Sequence, residues 1–277
     1  MTRQAIQLGG IQETLLIPLY ARAVETRKKR ALIDDPKAAG IVESIDWNFR
    51  RFSEARRVFA CVLRTAMFDE WVKDFLARNP EGTVVEIGAG LNTRFERLDN
   101  GRLHWLDLDL PDATALRRKF FADTGRRINL SGSVLERGWV EEVRRSPGPY
   151  FFVAEAVFVY LREDEVKDAL GRIARDFPGS IFAFDTATGR AVNSGNEDFA
   201  RKRMQARFSW ACSDPREIEG WNLGLRLVVS RTMADVPAPL NPKVPFLTRT
   251  ILGVIRVVFP KVCGLYRLNL FVAAGPA

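Results

Sequence analysis

The sequence predicts an α/β protein: a mostly parallel, doubly wound sheet of seven strands behind an N-terminal block of helices. Three observations lead there. Short apolar runs alternate with polar helical stretches from Thr83 onward, a glycine turn, Gly88-Ala89-Gly90, follows the first of those runs, and an acidic strand end, Asp107 to Asp109, comes about 20 residues later.

In the first 80 residues apolar positions recur at spacings of three and four, and β-branched runs of strand length are absent. Leu15, Ile17 and Leu19 lead into a helix through Glu25. Asp35 before Pro36 forms a cap and first-turn pair for a second helix through Ile41 and Val42. A longer helix covers roughly Ser53 to Ala77, with Val58, Val62, Met67, Trp71 and Phe75 as its stripe, and Asn79-Pro80-Glu81-Gly82 stops it. The strands that follow are expected at Thr83 to Ile87, Leu103 to Leu106, Ile128 to Leu130, Tyr150 to Ala154, Ser180 to Phe184, Leu225 to Ser230 and Tyr266 to Ala273. The last of them alternates apolar and polar residues, as an edge or antiparallel strand does. Between the last two lie five prolines and the apolar stretch Phe246 to Phe259, which reads as an irregular crossing and then a buried core helix, in preference to an interfacial membrane helix.

Composition bounds the function. The 277 residues carry 42 Lys plus Arg against 34 Asp plus Glu, a net charge of +8, and 47% hydrophobic residues, enough for one elaborated domain or two small ones. A single His and three scattered Cys leave too few soft ligands for a structural zinc site, so no metal is expected. No secretory signal pattern and no membrane-span-length apolar stretch is visible, and a reducing cytoplasm is the expected address. The basic runs Arg27 to Arg30, Arg117 to Lys119 and Arg201 to Arg203 read as solvated helix faces, so a nucleic-acid partner is not expected.

Glycines just after a strand let the chain turn sharply and bring backbone N–H groups to a ligand, and a carboxylate at the end of the next strand suits ribose hydroxyls. Asp107 and Asp109 are both placed for that role. The choice of nucleotide turns on Glu86. A carboxylate before the glycines repels phosphate but favours the ammonium and sulfonium of S-adenosylmethionine, and Thr93 occupies the third glycine position of a dinucleotide loop. Both features argue for a methyl donor over NAD.

Gly88-Ala89-Gly90-Leu91-Asn92-Thr93-Arg94 resembles the GAGLDTR signature of the leucine carboxyl methyltransferase family, and Leu106 to Pro111 its acidic strand motif. Pro18 to Glu25 with Leu32 to Pro36 is similar to the opening of the polyketide-type O-methyltransferase branch of that family, and Ala154-Glu155-Ala156-Val157-Phe158-Val159-Tyr160-Leu161 to its AEG-x-x-x-YL segment, with Ala156 in the glycine position. The resemblance implies a Rossmann-like class I methyltransferase with its core over 81–277, and the N-terminal helices, residues 1–80, and an insertion at about 187–222 are expected to form a cap and lid over the donor. It implies S-adenosylmethionine as cofactor and a small carboxyl or phenolic acceptor; a protein C-terminal carboxylate and a non-catalytic binding role are the alternatives. Residue by residue, it assigns Arg64 to the donor carboxylate, Gly88 and Gly90 with Glu86 to the methionine end, Asp109 or Asp107 to the ribose, Ser133 and Val134 to the adenine, and Glu155 to the junction of donor and acceptor. Asn92 and Ser133-Val134 depart from the Asp and Asp-Leu usual there. Without the family, Arg64 reads as a partner of Glu54 or Asp69 on a helix surface.

Methyl transfer needs alignment more than acid-base machinery. A carboxylate acceptor is already ionised at neutral pH, whereas a phenol benefits from a base or local positive charge. His104, at a strand start, is expected to be structural. Tyr160, Asp185 and Arg190, near strand ends on the ligand side, are acceptor-site candidates, with Glu155 and Tyr160 the candidate catalytic residues, and Phe199, Phe208, Trp210 and Arg201 to Arg207 are expected to form an aromatic, basic wall of the lid. Oligomeric state is not legible.

Overall fold

A computed structural model describes residues 4–5 and 12–275 of the chain. Its centre is a seven-stranded sheet formed by β1 (Thr83–Ile87), β2 (His104–Asp109), β3 (Arg127–Ser131), β4 (Tyr150–Ala154), β5 (Ile181–Ala187), β6 (Leu225–Thr232) and β7 (Tyr266–Ala273), in the order β3-β2-β1-β4-β5-β7-β6. The first five strands are parallel, and β7 is antiparallel to both of its neighbours. The alternating pattern of β7 therefore marks antiparallel pairing, and the edge position falls to β6. Because β1 and β4 are adjacent and the crossovers on either side of them run to opposite edges, their C-terminal ends open a crevice where the connections diverge.

The short helices α4 (Arg94–Leu98) and α5 (Pro111–Arg117) follow β1 and β2, and side-chain alternation divides the core in two. Val85, Ile87, Leu106, Leu108, Phe152 and Phe184 face α6 (Gly138–Arg144) and α7 (Glu163–Asp176) on one side. Val84, Trp105, Phe151, Val153 and Ala183 face α3 (Ala55–Arg78) on the other. The N-terminal helices thus have two destinations. The long α3 is a sheet-covering layer, whereas α1 (Leu16–Thr26), α2 (Pro36–Ser44) and the 310 turn Phe49–Phe52 share a separate apolar cluster with Leu91, Leu116, Phe121, Phe199, Met204 and Ala206. That cluster sits against the glycine turn. Asp35 caps α2 by accepting from the Ala38 N–H at 2.9 Å, with Pro36 in the first turn.

Two expectations fail. The stretch after the prolines is a helix, α9 (Phe246–Val258), but none of its residues is buried, and Phe246, Leu247 and Val257 are more than 70% exposed. It is a surface helix: its apolar arc faces solvent, and of its residues only Leu252 joins the core. Trp210 is not a lid residue either: it packs into the main core with Cys212 and Ile218. No helix among the described residues is long and apolar enough to cross a membrane.

Candidate functional site

The turn after β1 is built so that only glycine fits at two positions. Gly88 has φ +63° and a Cβ there would lie 2.4 Å from Val157; Gly90 has φ +49° and a Cβ would lie 2.7 Å from Leu15. Buried arginines hold the turn by its carbonyls. Arg117 donates to the Gly90 and Asn92 oxygens at 2.8 Å each, and Arg22 to the Leu91 oxygen at 2.8 Å. Arg117 is 1% exposed, so the run Arg117 to Lys119 is not wholly a solvated face: its first member has turned inward to Asp107 and Asn129.

The two candidate acids of β2 have different surroundings. Asp107 accepts from Trp105, Arg117 and Arg127 at 2.8–2.9 Å and is fully enclosed. Asp109, at the strand end, accepts from the Gly90 N–H at 2.6 Å and the Leu110 N–H at 2.8 Å, and burial raises its pKa despite those bonds. Only Asp109 is tied directly to the glycine turn. Ser133 lies just beyond β3, its hydroxyl accepting from the Leu135 N–H at 3.2 Å, while the Val134 side chain belongs to the core.

Glu86 is buried at 2% exposure, where burial pushes its carboxyl up to about 7 against the opposing pull of Arg94. One oxygen accepts from Arg94 and, at 2.6 Å, from Asn92 Nδ2; the other has no hydrogen-bond partner among the described residues. Asn92 here does what Asp cannot, since an amide donates to a carboxylate that a second carboxylate would repel.

Arg64 pairs with neither Glu54 nor Asp69. Its Nε donates to Glu155 at 2.8 Å and its Nη1 to the Tyr266 hydroxyl at 3.3 Å. Glu155, immediately after β4, also accepts from Thr65 at 2.7 Å and from Arg94. Burial alone would raise the Glu155 pKa, but Arg64 and Arg94 prevail and hold it at about 2. It is therefore a fixed anion and a poor proton acceptor. Next to it, Ala156 adopts φ +56°, the conformation that explains a glycine in the related motif, and its N–H donates to both oxygens of Asp185. Asp185 also accepts from Tyr266, and burial, opposed by Arg64 and that bond, moves its pKa up to about 6. Tyr160 lies outside this group: its hydroxyl bonds to Thr14 and its ring packs on Phe208 at 5.0 Å, which in turn meets Phe199 at 4.8 Å. Arg190 is exposed at the start of α8 (Gly189–Arg201), and His104 opens β2.

These contacts join into one continuous line that sequence reasoning misses. Arg22 pairs with Asp35, Asp35 with Arg97, Arg97 with Asp69, Asp69 with Arg94, Arg94 with Glu86 and Glu155, and Glu155 with Arg64. Tyr266 links Arg64 to Asp185. The only hint in the sequence is the density of charged residues within otherwise apolar helical stretches.

The model of the leucine carboxyl methyltransferase family matches residues 16–174. The chain is 31% identical over 236 residues, 84% of its length and 87% of the relative's, to the tetracenomycin polyketide synthesis O-methyltransferase TcmP of Streptomyces glaucescens. It is 29% identical over 244 residues, 80% of its length and 82% of the relative's, to the S-adenosyl-L-methionine-dependent methyltransferase dpfgK of Gibberella zeae. Among solved structures, a DUF574 family protein from Streptomyces avermitilis superimposes with a TM-score of 0.60 at 13% identity, covering 94% of this chain and 97% of that one. A putative methyltransferase from Thermobifida fusca superimposes with a TM-score of 0.55 at 15% identity, covering 92% of this chain and 94% of that one. With the strand order and the glycine turn, these likenesses establish a Rossmann-like fold, and the chain belongs to the leucine carboxyl methyltransferase family of S-adenosylmethionine-dependent enzymes.

Proposed function

We propose that the protein transfers a methyl group from S-adenosylmethionine to a carboxyl or phenolic oxygen of a small aromatic or polyketide-like metabolite. The observation that carries the donor half is the unpartnered, buried oxygen of Glu86 beside the glycine turn. A buried carboxylate oxygen without a donor is costly, and an ammonium group is the partner that it lacks. The charges agree. The buried line holds four guanidiniums, of Arg22, Arg64, Arg94 and Arg97, against five carboxyls, of Asp35, Asp69, Glu86, Glu155 and Asp185. Fully ionised it is one negative charge in excess, so a ligand of net charge +1 neutralises it.

In this reading Asp109 takes the ribose hydroxyls through its remaining lone pairs, Glu86 and Arg64 face the two charged ends of the methionine moiety, and Ser133 stands at the adenine edge. Asp107 supports the turn through Arg117. The bound donor supplies an electrophilic methyl group, and the chain's task is to present the acceptor oxygen in line and keep water out. Glu155 holds Arg64 and Arg94 in place. Asp185, with Tyr266 and Arg64 around it, is the group on the acceptor side able to take a proton near neutral pH, which suits a phenolic oxygen; a carboxylate acceptor instead uses the positive charge of Arg64. The cluster of α1, α2 and residues 199–206, with Tyr160, Phe199 and Phe208, forms an apolar roof suited to a flat molecule. The likeness to an O-methyltransferase of polyketide synthesis supports a small-molecule acceptor over a protein tail.

Calorimetric titration with S-adenosylhomocysteine tests the donor half, comparing the wild type with Asp109→Asn and Arg64→Ala. Binding that falls at least tenfold in both folded variants is the expected result; absence of binding by the folded wild type overturns the proposal. Mass-spectrometric screening of aromatic acids and phenols with the methyl donor tests the acceptor half. A base-labile product identifies an ester and a base-stable one an ether.

A further inference from the structure

The helix α9 presents its apolar residues to solvent. Phe246, Leu247, Ile251, Val254, Val257 and Val258 are 48–76% exposed. At 100° per residue they occupy one arc of about 140°. Leu252 and Ile255, half-buried, hold the helix to the body from its other side, and Arg249 and Arg256 flank them. Phe259 and Val262 extend the apolar surface at 55% and 52% exposure. One carboxylate reaches this helix, Asp235, which pairs with Arg256 at 3.4 Å. From Val236 to the end of the chain there is no Asp or Glu, while Lys243, Arg249, Arg256, Lys261 and Arg267 are present. Beside the start of α9 a cavity of about 450 Å³ brings Lys243 and Arg249 together with Arg30, the last residue of the basic run at the end of α1.

We infer that this face docks on an anionic lipid surface, with the apolar arc entering the acyl boundary and the cations of the cavity meeting lipid phosphates. A protein partner accounts for the apolar arc, but not for a carboxylate-free segment whose cations converge from two distant parts of the chain. Interfacial helices combine these two features. At 13 residues α9 is about 20 Å long, too short to span a bilayer, so it lies along the surface. The inference does not depend on which acceptor is methylated.

Flotation of the purified full chain tests it, with vesicles of phosphatidylcholine alone and of phosphatidylcholine mixed with phosphatidylglycerol. The protein is expected to float with the anionic vesicles at low salt, to be released at high salt, and to bind the neutral vesicles at least tenfold less. Val254→Asp with Val257→Asp, both at exposed positions that leave the fold intact by circular dichroism, abolishes flotation. Lys243→Ala with Arg249→Ala lowers partitioning by about 25-fold, at about fivefold per cation removed. Absence of flotation by the wild type overturns the inference, as does equal binding to neutral and anionic vesicles. A stable dimer in light scattering that Val257→Asp dissociates also overturns it, because the face then belongs to a second copy of the chain.

Discussion

Replacing Glu155 by Gln tests whether the buried guanidinium–carboxylate line holds the site together. Glu155 is 6% exposed and accepts from Arg64, Thr65 and Arg94, an arrangement that keeps its carboxyl at about 2 against an ordinary 4.5. That gap corresponds to about 3 kcal/mol of native stability at neutral pH, within the range for breaking a buried ion pair. The sign follows from the depressed pKa. The unfolded state binds the proton first as pH falls, so the contribution is complete above pH 4.5 and is lost progressively down to about pH 2. Glu155→Gln cannot titrate. Its stability deficit relative to wild type is therefore largest near pH 7 and shrinks by about 1.4 kcal/mol by about pH 3.5. Urea unfolding of both proteins across that interval, followed by tryptophan fluorescence, measures the difference directly. A deficit independent of pH, or one that grows as pH falls, refutes the reasoning.

Ala156→Gly relieves a non-glycine residue at φ +56° and is expected to stabilise the protein by about 0.5–1 kcal/mol, the left-handed cost of about 1–2 kcal/mol less the added chain entropy of glycine; an unchanged or lower Tm contradicts this. Asp107→Asn leaves Arg117 and Arg127 facing an amide and should cost about 3 kcal/mol or more by urea unfolding while sparing S-adenosylhomocysteine affinity in the folded protein. Asp109→Asn should show the reverse. Binding of the sulfonium donor near pH 7 is expected to release protons, because an added cation lowers a Glu86 carboxyl that stands at about 7, and its affinity should rise with pH through that value. Calorimetry in two buffers of different ionisation enthalpy measures the release, and proton uptake contradicts the charge assignment.

Much of the fold is legible in the sequence because strand periodicity, caps and turns are local properties. The bounds of β1, β4 and β7 match their apolar runs, and Asp35-Pro36 starts α2 for reasons confined to four residues. The glycine turn is equally local. Arg117 and Arg64 are not, since their partners Asp107, Asn129, Glu155 and Tyr266 come from other strands and are set by register. A basic triplet at the end of a short helix looks the same whether its first member points to water or to four acceptors in the interior. The apolar stretch of α9 carries a similar ambiguity, as hydrophobicity records what a segment must avoid and not what covers it. The one-sided charge from Val236 onward was available in the sequence and, weighed with that stretch, would have argued against a core helix.

The buried arginines are also what allow a carboxylate-rich site to fold. The buried carboxyls of Asp35, Asp69, Glu86, Asp107, Glu155 and Asp185 would repel one another without them. The pairing leaves unequal results: Glu155 is held at about 2, while Glu86 and Asp185 stand near 7 and 6. The line thus separates a carboxylate that remains charged from two that respond to what approaches. Glu86 stands at the glycine turn and Asp185 beside Tyr266, so the two responsive groups flank the fixed one. In the proposed reaction the cationic donor meets Glu86 on one side and the acceptor oxygen meets Asp185 on the other.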